Sequence, residues 1–464
     1  MPAHIPSGDW PTFDYTASRA GVYPGRTGLT AGDLGRLRLR TVAVNGVVDS
    51  APIELHAVKV SGRRRDVVIV TTSYGKTVAI DPGRGKRLWE FVPRGVNATP
   101  GNYQVTTSGP VADPDRRYVY TASPNGVIHK LSVGSGHQVW QRRVSFDPRH
   151  EKLASALNIS GRSVVVVSGG YYGDALPYDG HVAMISRGTG RITRVWNAQC
   201  SNRHRLIHAG TCPTTRGSAI WARAGTVIVP GSRRILTATG NGAFDGHTGW
   251  GDSALELTAS ASRLLHNWTP TDEAQLDQTD TDLGSTIPAL LPVYHRLRLA
   301  VQGGKDGRLH LLNLARLNGT PGSAGPRLGG ELSEVASPGG GEVFTAPVAT
   351  RIAGRILIFV ADDAGTSAYT LRGGRHPALH VVWQDATAGT SPVLAGGLLY
   401  VYDEQDGRLV IRAAASGRIL RTLAVSGGHW NSPIVVAGRI IEPTGNYHSS
   451  AGSSLVYIYH LPGR

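Results

Sequence analysis

A chain of 464 residues with 60 glycines, 27 prolines and only 17% charged residues suits many short strands joined by tight turns, since glycine supplies positive φ and proline presets turn geometry. Its longest apolar runs, such as 164–167 and 356–360, fall far short of the roughly 18 residues of a membrane span, so no membrane-spanning helix is expected. The formal net charge of +15 favours acidic partners such as an anionic cell-surface polymer; nucleic acid is not expected, because the arginines are dispersed and no RNP1-like aromatics or paired zinc-ligand cysteines occur.

In chain order, Met1 to Asp9 shows no apolar core of a signal peptide, and the run Leu37 to Val44 stands alone. A phrase then recurs in which Ser or Thr is followed by Pro and aliphatic residues: Ser50-Ala51-Pro52-Ile53, Ser108-Gly109-Pro110-Val111, Thr286-Ile287-Pro288-Ala289, Thr345-Ala346-Pro347-Val348, Ser391-Pro392-Val393 and Ser432-Pro433-Ile434. Two copies lacking the proline, at Ser155 and Ser218, complete a set of eight units. Each phrase leads to an apolar run ending in a glycine turn, and most units add an alternating run such as Val78-Ala79-Ile80-Asp81. Period-two alternation between glycine turns is a hairpin signal, and its eightfold repetition predicts an all-β, eight-bladed β-propeller of four-stranded antiparallel blades in a single domain, 1–464.

Trp89, Trp140, Trp196, Trp268 and Trp383 recur after the third run of their units, with Leu423 in the same place in the seventh. These are expected to dock on the neighbouring unit as scaffold. The last unit ends at Leu455–Tyr459 without a fourth strand, so residues 37–44 are predicted to supply it and close the ring.

Cys200 and Cys212 enclose a short polar loop. They read either as a loop-closing disulfide, stabilising by roughly 2 to 4 kcal/mol and implying an oxidising compartment, or as two free thiols inside a cell. The disulfide reading makes the location extracytoplasmic: periplasmic, secreted or cell-surface.

The stretch from Ser218 to Lys305 gathers an aromatic, an amide, carboxylates and a lysine at strand ends: Trp221, Asn241, Trp250-Gly251-Asp252, the acidic run Asp272 to Asp282, and Lys305. Blander alternatives exist. Asn241-Gly242 is a ready hairpin turn, Asp306-Gly307 recurs as a turn in other units, and the acidic run suits a solvated loop.

With Asp9-Trp10-Pro11-Thr12-Phe13, the phrase from Ala79-Ile80-Asp81-Pro82-Gly83 to Trp89, and eight units, the chain resembles the pyrroloquinoline quinone (PQQ) propellers, which include the quinoprotein alcohol dehydrogenases. The resemblance implies that Trp221 stacks on the quinone and that Asn241 contacts the cofactor and ligates calcium. It also implies that Asp280 or Asp282 is the catalytic base and that Lys305 holds the quinone oxygens. Calcium would be held by Asn241, Asp282 and, if its loop folds inward, Asp174. The family has a calcium-binding glutamate in a Gly-Ala-Glu phrase where this chain reads Ser168-Gly169-Gly170-Tyr171-Tyr172-Gly173-Asp174, so Tyr171 stands at the carboxylate position.

The activity implied is oxidation of an alcohol or polyol with PQQ and calcium. No Cys-x-x-Cys-His is present, so electrons would leave to a separate acceptor. The alternative is a non-catalytic propeller that binds a protein or an anionic polymer, favoured by Tyr171 and by the basic charge.

Overall fold

The computed structural model describes residues 5–96, 104–173, 175–212, 217–317, 328–448 and 453–463. The chain forms eight four-stranded antiparallel sheets arranged as a ring, the expected β-propeller. Numbering blades in chain order, blade 1 comprises Ile53–Val60, Arg63–Thr71, Thr77–Asp81 and Lys86–Phe91, and the inner strands of the next seven begin at Val111, Asn158, Val227, Ala289, Val348, Val393 and Ile434. Strand faces are almost wholly apolar, as in Val67 to Val70, because each sheet is covered on both sides by its neighbours. Among the described residues no helix is long and apolar enough to cross a membrane.

Closure is as predicted. Arg38–Asn45 pairs antiparallel with Ser453–His460 over its full length and becomes the outer strand of blade 8. The tryptophan repeat also has the expected role. Trp89 packs on Gly136 of the next blade and donates from Nε1 to Val133 O at 2.8 Å. Trp140 does the same on Gly190, and Trp383 on Gly417. Those glycines have φ near +70° and leave no room for a Cβ beneath the indole, so the turn and the docking surface require the same residue.

The path of the N-terminal segment is not visible in the repeat pattern. Residues 9–29 run along the inner strands and close the end of the ring that carries the turns between first and second strands. Trp10 pairs with Glu54 in blade 1, Pro11 O accepts from Ala112 N in blade 2, and Ala17 O accepts from Asn158 Nδ2 and Ile228 N in blades 3 and 4. Val22–Tyr23 adds a parallel strand to blade 7, and Thr27 O accepts from Gly438 N in the first turn of blade 8.

Arg19 pins this plug: buried, it donates to Ala224 O, Thr226 O, Ala156 O, Leu157 O, Phe13 O and Thr12 Oγ1. Arg19→Ala leaves these carbonyls and the buried Asp14 without their cation. It is expected to cost ~3–5 kcal/mol, measured as a lower urea midpoint at unchanged slope.

Candidate active site

At the opposite end of the ring, where second strands turn into third strands, three separate segments converge. Ile235–Ala238 runs into Thr239-Gly240-Asn241-Gly242, the connection from blade 4 to blade 5 brings in Asp280 and Asp282, and Leu299–Gly303 leads to Lys305. Asp282 Oδ1 accepts from Asn241 N at 2.9 Å, and its Oδ2 lies 2.6 Å from Lys305 Nζ. Asn241 Nδ2 donates to Asp280 Oδ1 at 2.7 Å, while Lys305 Nζ also donates to Asp280 O at 3.2 Å. The ammonium stands 5.6 Å from the centre of the Trp221 ring. Gly240 permits this closeness, since a Cβ there would strike Asp282 Oδ1 and lie 3.2 Å from Trp221 Nε1.

The two aspartates differ in environment. Asp280 is two-thirds exposed (side chain 68%) and sits at φ +56°, whereas Asp282 is buried. Burial raises the Asp282 carboxyl above its ordinary value, against the pull of Lys305 and of Asn241 N. Burial lowers the Lys305 ammonium, but Asp282 and Asp280 raise it further, so it stays charged. Asp252 lies behind them, fully buried, accepting from Leu283 N at 2.9 Å and pushed well up by burial and by Asp282.

Several expectations change. Asn241-Gly242 is not a two-residue hairpin, because the loop runs from Thr239 to Ser253 before Ala254 pairs with Ala238. Half of the acidic run is not a loop: Glu273–Gln278 is a short α-helix. Trp250 is scaffold, buried against Phe244 and donating from Nε1 to Ser201 Oγ beside the Cys200–Cys212 bridge, which the structure forms.

Calcium takes six to eight oxygens. The described residues do not offer them here: both Asp282 oxygens are engaged, and Asn241 Oδ1 is a buried acceptor without a hydrogen-bond partner. Tyr171 is turned into a core cluster with Val47, Tyr74 and Val105 and donates its hydroxyl to Pro148 O, while Asp174 lies outside the described residues. Among the described residues no group of three or more His, Cys, Asp or Glu could hold a metal ion. Among the described residues the donor set thus falls short of the oxygens calcium takes, with Asn241 Oδ1 the predicted ligand atom left free.

From Trp221 an aromatic row crosses to Phe344 (5.9 Å between ring centres) and on to Trp430 (4.9 Å), with the Arg223 guanidinium 4.7 Å from the Trp430 ring. Trp430 and His429 hold Asp49 through Trp430 N and His429 Nδ1, and Lys152 Nζ lies 3.3 Å from Tyr447 Oη. Side chains from blades this far apart meet only where inner strands converge, so the row marks the axis. Burial alone would raise the Asp49 carboxyl, but His429, Arg223 and Lys152 hold it well below the usual carboxylate range.

Residues 22–213 match the PQQ_2 family model, described as outer membrane protein assembly factor BamB. Among solved structures, quinohemoprotein alcohol dehydrogenase from Comamonas testosteroni superposes with a TM-score of 0.70 at 15% identity, covering 98% of this chain and 81% of that one. The chain is an eight-bladed propeller whose residues 22–213 match PQQ-like repeats. A europium-containing methanol dehydrogenase gives 0.71 at 13% identity, covering 98% of both chains. BamB from Moraxella catarrhalis gives 0.52 at 16%, covering 92% of this chain and 99% of that one. At these identities the likeness to solved structures establishes the fold alone. No curated protein sequence matches the chain significantly.

In this PQQ-like propeller, nothing in the repeat itself marked Asp49, Lys152, Phe344 or Trp430 as axial. A signal was present nonetheless: each stands one to three residues before an opening phrase, at Ser50, Ser155, Thr345 and Ser432. The phrase enters the inner strand, so the residues ahead of it face the axis.

Next to Lys152 in the chain, Glu151 is buried, accepts from Ser145 Oγ, and is pushed up to about 7 by burial. A carboxyl raised in the folded state stabilises most below its unfolded value of 4.5, and that contribution is lost as pH rises through about 7. Glu151→Gln keeps the neutral form at every pH. Its unfolding free energy, from urea titrations, should gain on the native protein between pH 4.5 and 7.5 by up to ~3 kcal/mol; a constant difference would show that Glu151 does not titrate in that window.

Proposed function

We propose that the protein is a quinoprotein-like oxidoreductase that binds a planar quinone of the PQQ type at the propeller axis and oxidises an alcohol or polyol, with electrons leaving to a separate acceptor. The observation that carries this is the convergence of Trp221, Asp282 and Lys305, from three distant segments, into one contact group at the axis. When bound, the quinone supplies a two-electron acceptor. Trp221 offers an aromatic floor, and Lys305 offers a fixed positive charge toward the quinone oxygens in a site where charge is weakly screened.

Asp282 is the base: its raised carboxyl is suited to taking a hydroxyl proton near neutral pH, and Lys305 steadies the developing charge. Asp280 and Asn241 position this pair through the Asn241 Nδ2 to Asp280 hydrogen bond and the Asn241 N to Asp282 hydrogen bond. Lys305 occupies the cationic role, so the scheme needs no calcium. The Cys200–Cys212 bridge supports an extracytoplasmic location.

The test is dye reduction by protein reconstituted with PQQ over a panel of primary alcohols and polyols. Turnover that is lost in Asp282→Asn while folding is kept supports the scheme; no turnover with any substrate would count against it. A second reading, a protein-binding propeller without chemistry, is favoured by the match of residues 22–213 to the assembly-factor model and by Tyr171. It predicts no dye reduction and no loss of partner capture in Asp282→Asn.

A further inference from the structure

The axis carries more positive charge than its own carboxylates answer. Lys152 and Arg223 converge with Tyr447 and Trp430 on the side of the row away from Lys305. The acid that both groups face is Asp49; burial and the neighbouring Arg223 lower the Lys152 ammonium to about 7, so an added anion would favour its charged form. The Asp49 oxygens are already engaged by His429 Nδ1 at 2.8 Å, Trp430 N at 3.2 Å and Tyr447 N at 3.4 Å.

Arg223 Nε and Nη1 are buried without a hydrogen-bond partner among the described residues. Lys152 is 5% exposed, and among the described residues its contacts are the Tyr447 hydroxyl at 3.3 Å and the Tyr447 ring at 4.3 Å. Unpaired donors on buried cations are costly, because neither water nor a counter-charge compensates them. Their retention beside the axial rings of Trp430 and Tyr447 is accounted for if a ligand supplies the missing acceptors.

We propose that Lys152 and Arg223 form an anion-recognising wall that binds the carboxylate of an acidic small molecule, with Trp430 and Phe344 flanking its carbon skeleton. Guanidinium and ammonium together match a carboxylate in charge and donor geometry. Asp49 has a positioning role: it fixes His429, Trp430 and Tyr447, the side chains against which both cations lie. Taken as substrate recognition, this rests on the quinone reading above and names the substrate class: a hydroxy acid, such as a sugar acid, held by its carboxylate at Lys152 and Arg223 while a hydroxyl reaches Asp282. Taken as anion binding, it stands without that reading. Lys152 and Arg223 serve the ligand's acid group, whereas Lys305, 5.6 Å from the centre of the Trp221 ring, serves the quinone.

Calorimetric titration with D-gluconate and with D-glucose tests this, with PQQ binding followed separately by absorbance. The native protein should bind gluconate at least about tenfold more tightly than glucose. Arg223→Gln and Lys152→Met should each lose roughly that factor for gluconate and leave both glucose and PQQ affinity unchanged; Lys152→Arg, which keeps the charge, should retain most of it and serves as the control for folding. If gluconate and glucose bind alike, or if the variants weaken PQQ instead of gluconate, the proposal is overturned. Arg223-dependent gluconate binding in a protein that takes up no PQQ would support the wall and remove the quinone reading.

Discussion

Deleting residues 1–45 is expected to destroy the ring as a cooperative unit. The deletion removes the strand Arg38–Asn45 and exposes the whole edge of Ser453–His460, whose unpaired backbone groups then invite pairing with another chain. It also takes Trp10, Tyr15, Tyr23, Leu29, Leu34, Val42 and Val44 out of the core cluster shared by blades 1, 7 and 8. Together with Arg19, these residues join blades that are far apart in sequence, so their loss opens the ring at its seam and at one end of its axis. Size-exclusion chromatography should show aggregates, and urea unfolding should broaden. A monomeric truncation with the native midpoint would contradict the seam.

The second large effect is expected at Lys305. Its side chain is 16% exposed and that of Asp282 11%, so Lys305→Ala leaves a buried carboxylate without its counter-charge. Breaking such a pair costs ~3–5 kcal/mol, and the carboxyl should respond by taking up a proton as its pKa rises further. Quinone affinity should fall at least about a hundredfold with the loss of the charge that faces the quinone oxygens. Pairing Lys305→Ala with Asp282→Asn separates the two effects: the double variant should recover much of the stability but none of the affinity. Recovery of affinity would place the quinone elsewhere.

The blades were legible in the sequence because each one repeats the same problem. An inner strand must start, turn on glycine and return, a solution repeated eight times, and in three blades a tryptophan docks on a glycine turn of the next; such repetition leaves a pattern. The closing strand was legible by elimination, since blade 8 lacks its outer strand and 37–44 has no blade of its own.

Residues 9–29 solve a problem that occurs once, sealing one end of the axis, and so have no periodicity to betray them. Trp221, Asn241, Asp282 and Lys305 stood out through the resemblance to PQQ propellers and do meet in space. Trp250 stood out for the same reason as Trp221, an aromatic outside the repeat, yet it braces the disulfide loop. Sequence alone cannot separate the two, because both break the pattern and only one faces the axis. No local spacing links Phe344, Trp430, Lys152 and Arg223, because their partners come from other blades.

The central claim is that the axis holds a planar quinone against Trp221 and Lys305 without calcium. Equilibrium titration of the EDTA-treated protein with PQQ, read by quinone absorbance beside the same titration of Trp221→Ala, tests it most directly. Saturable micromolar binding by the native chain, unchanged by added calcium and absent in Trp221→Ala, is the predicted result. No binding at micromolar quinone with or without calcium, or equal binding by Trp221→Ala, would contradict it.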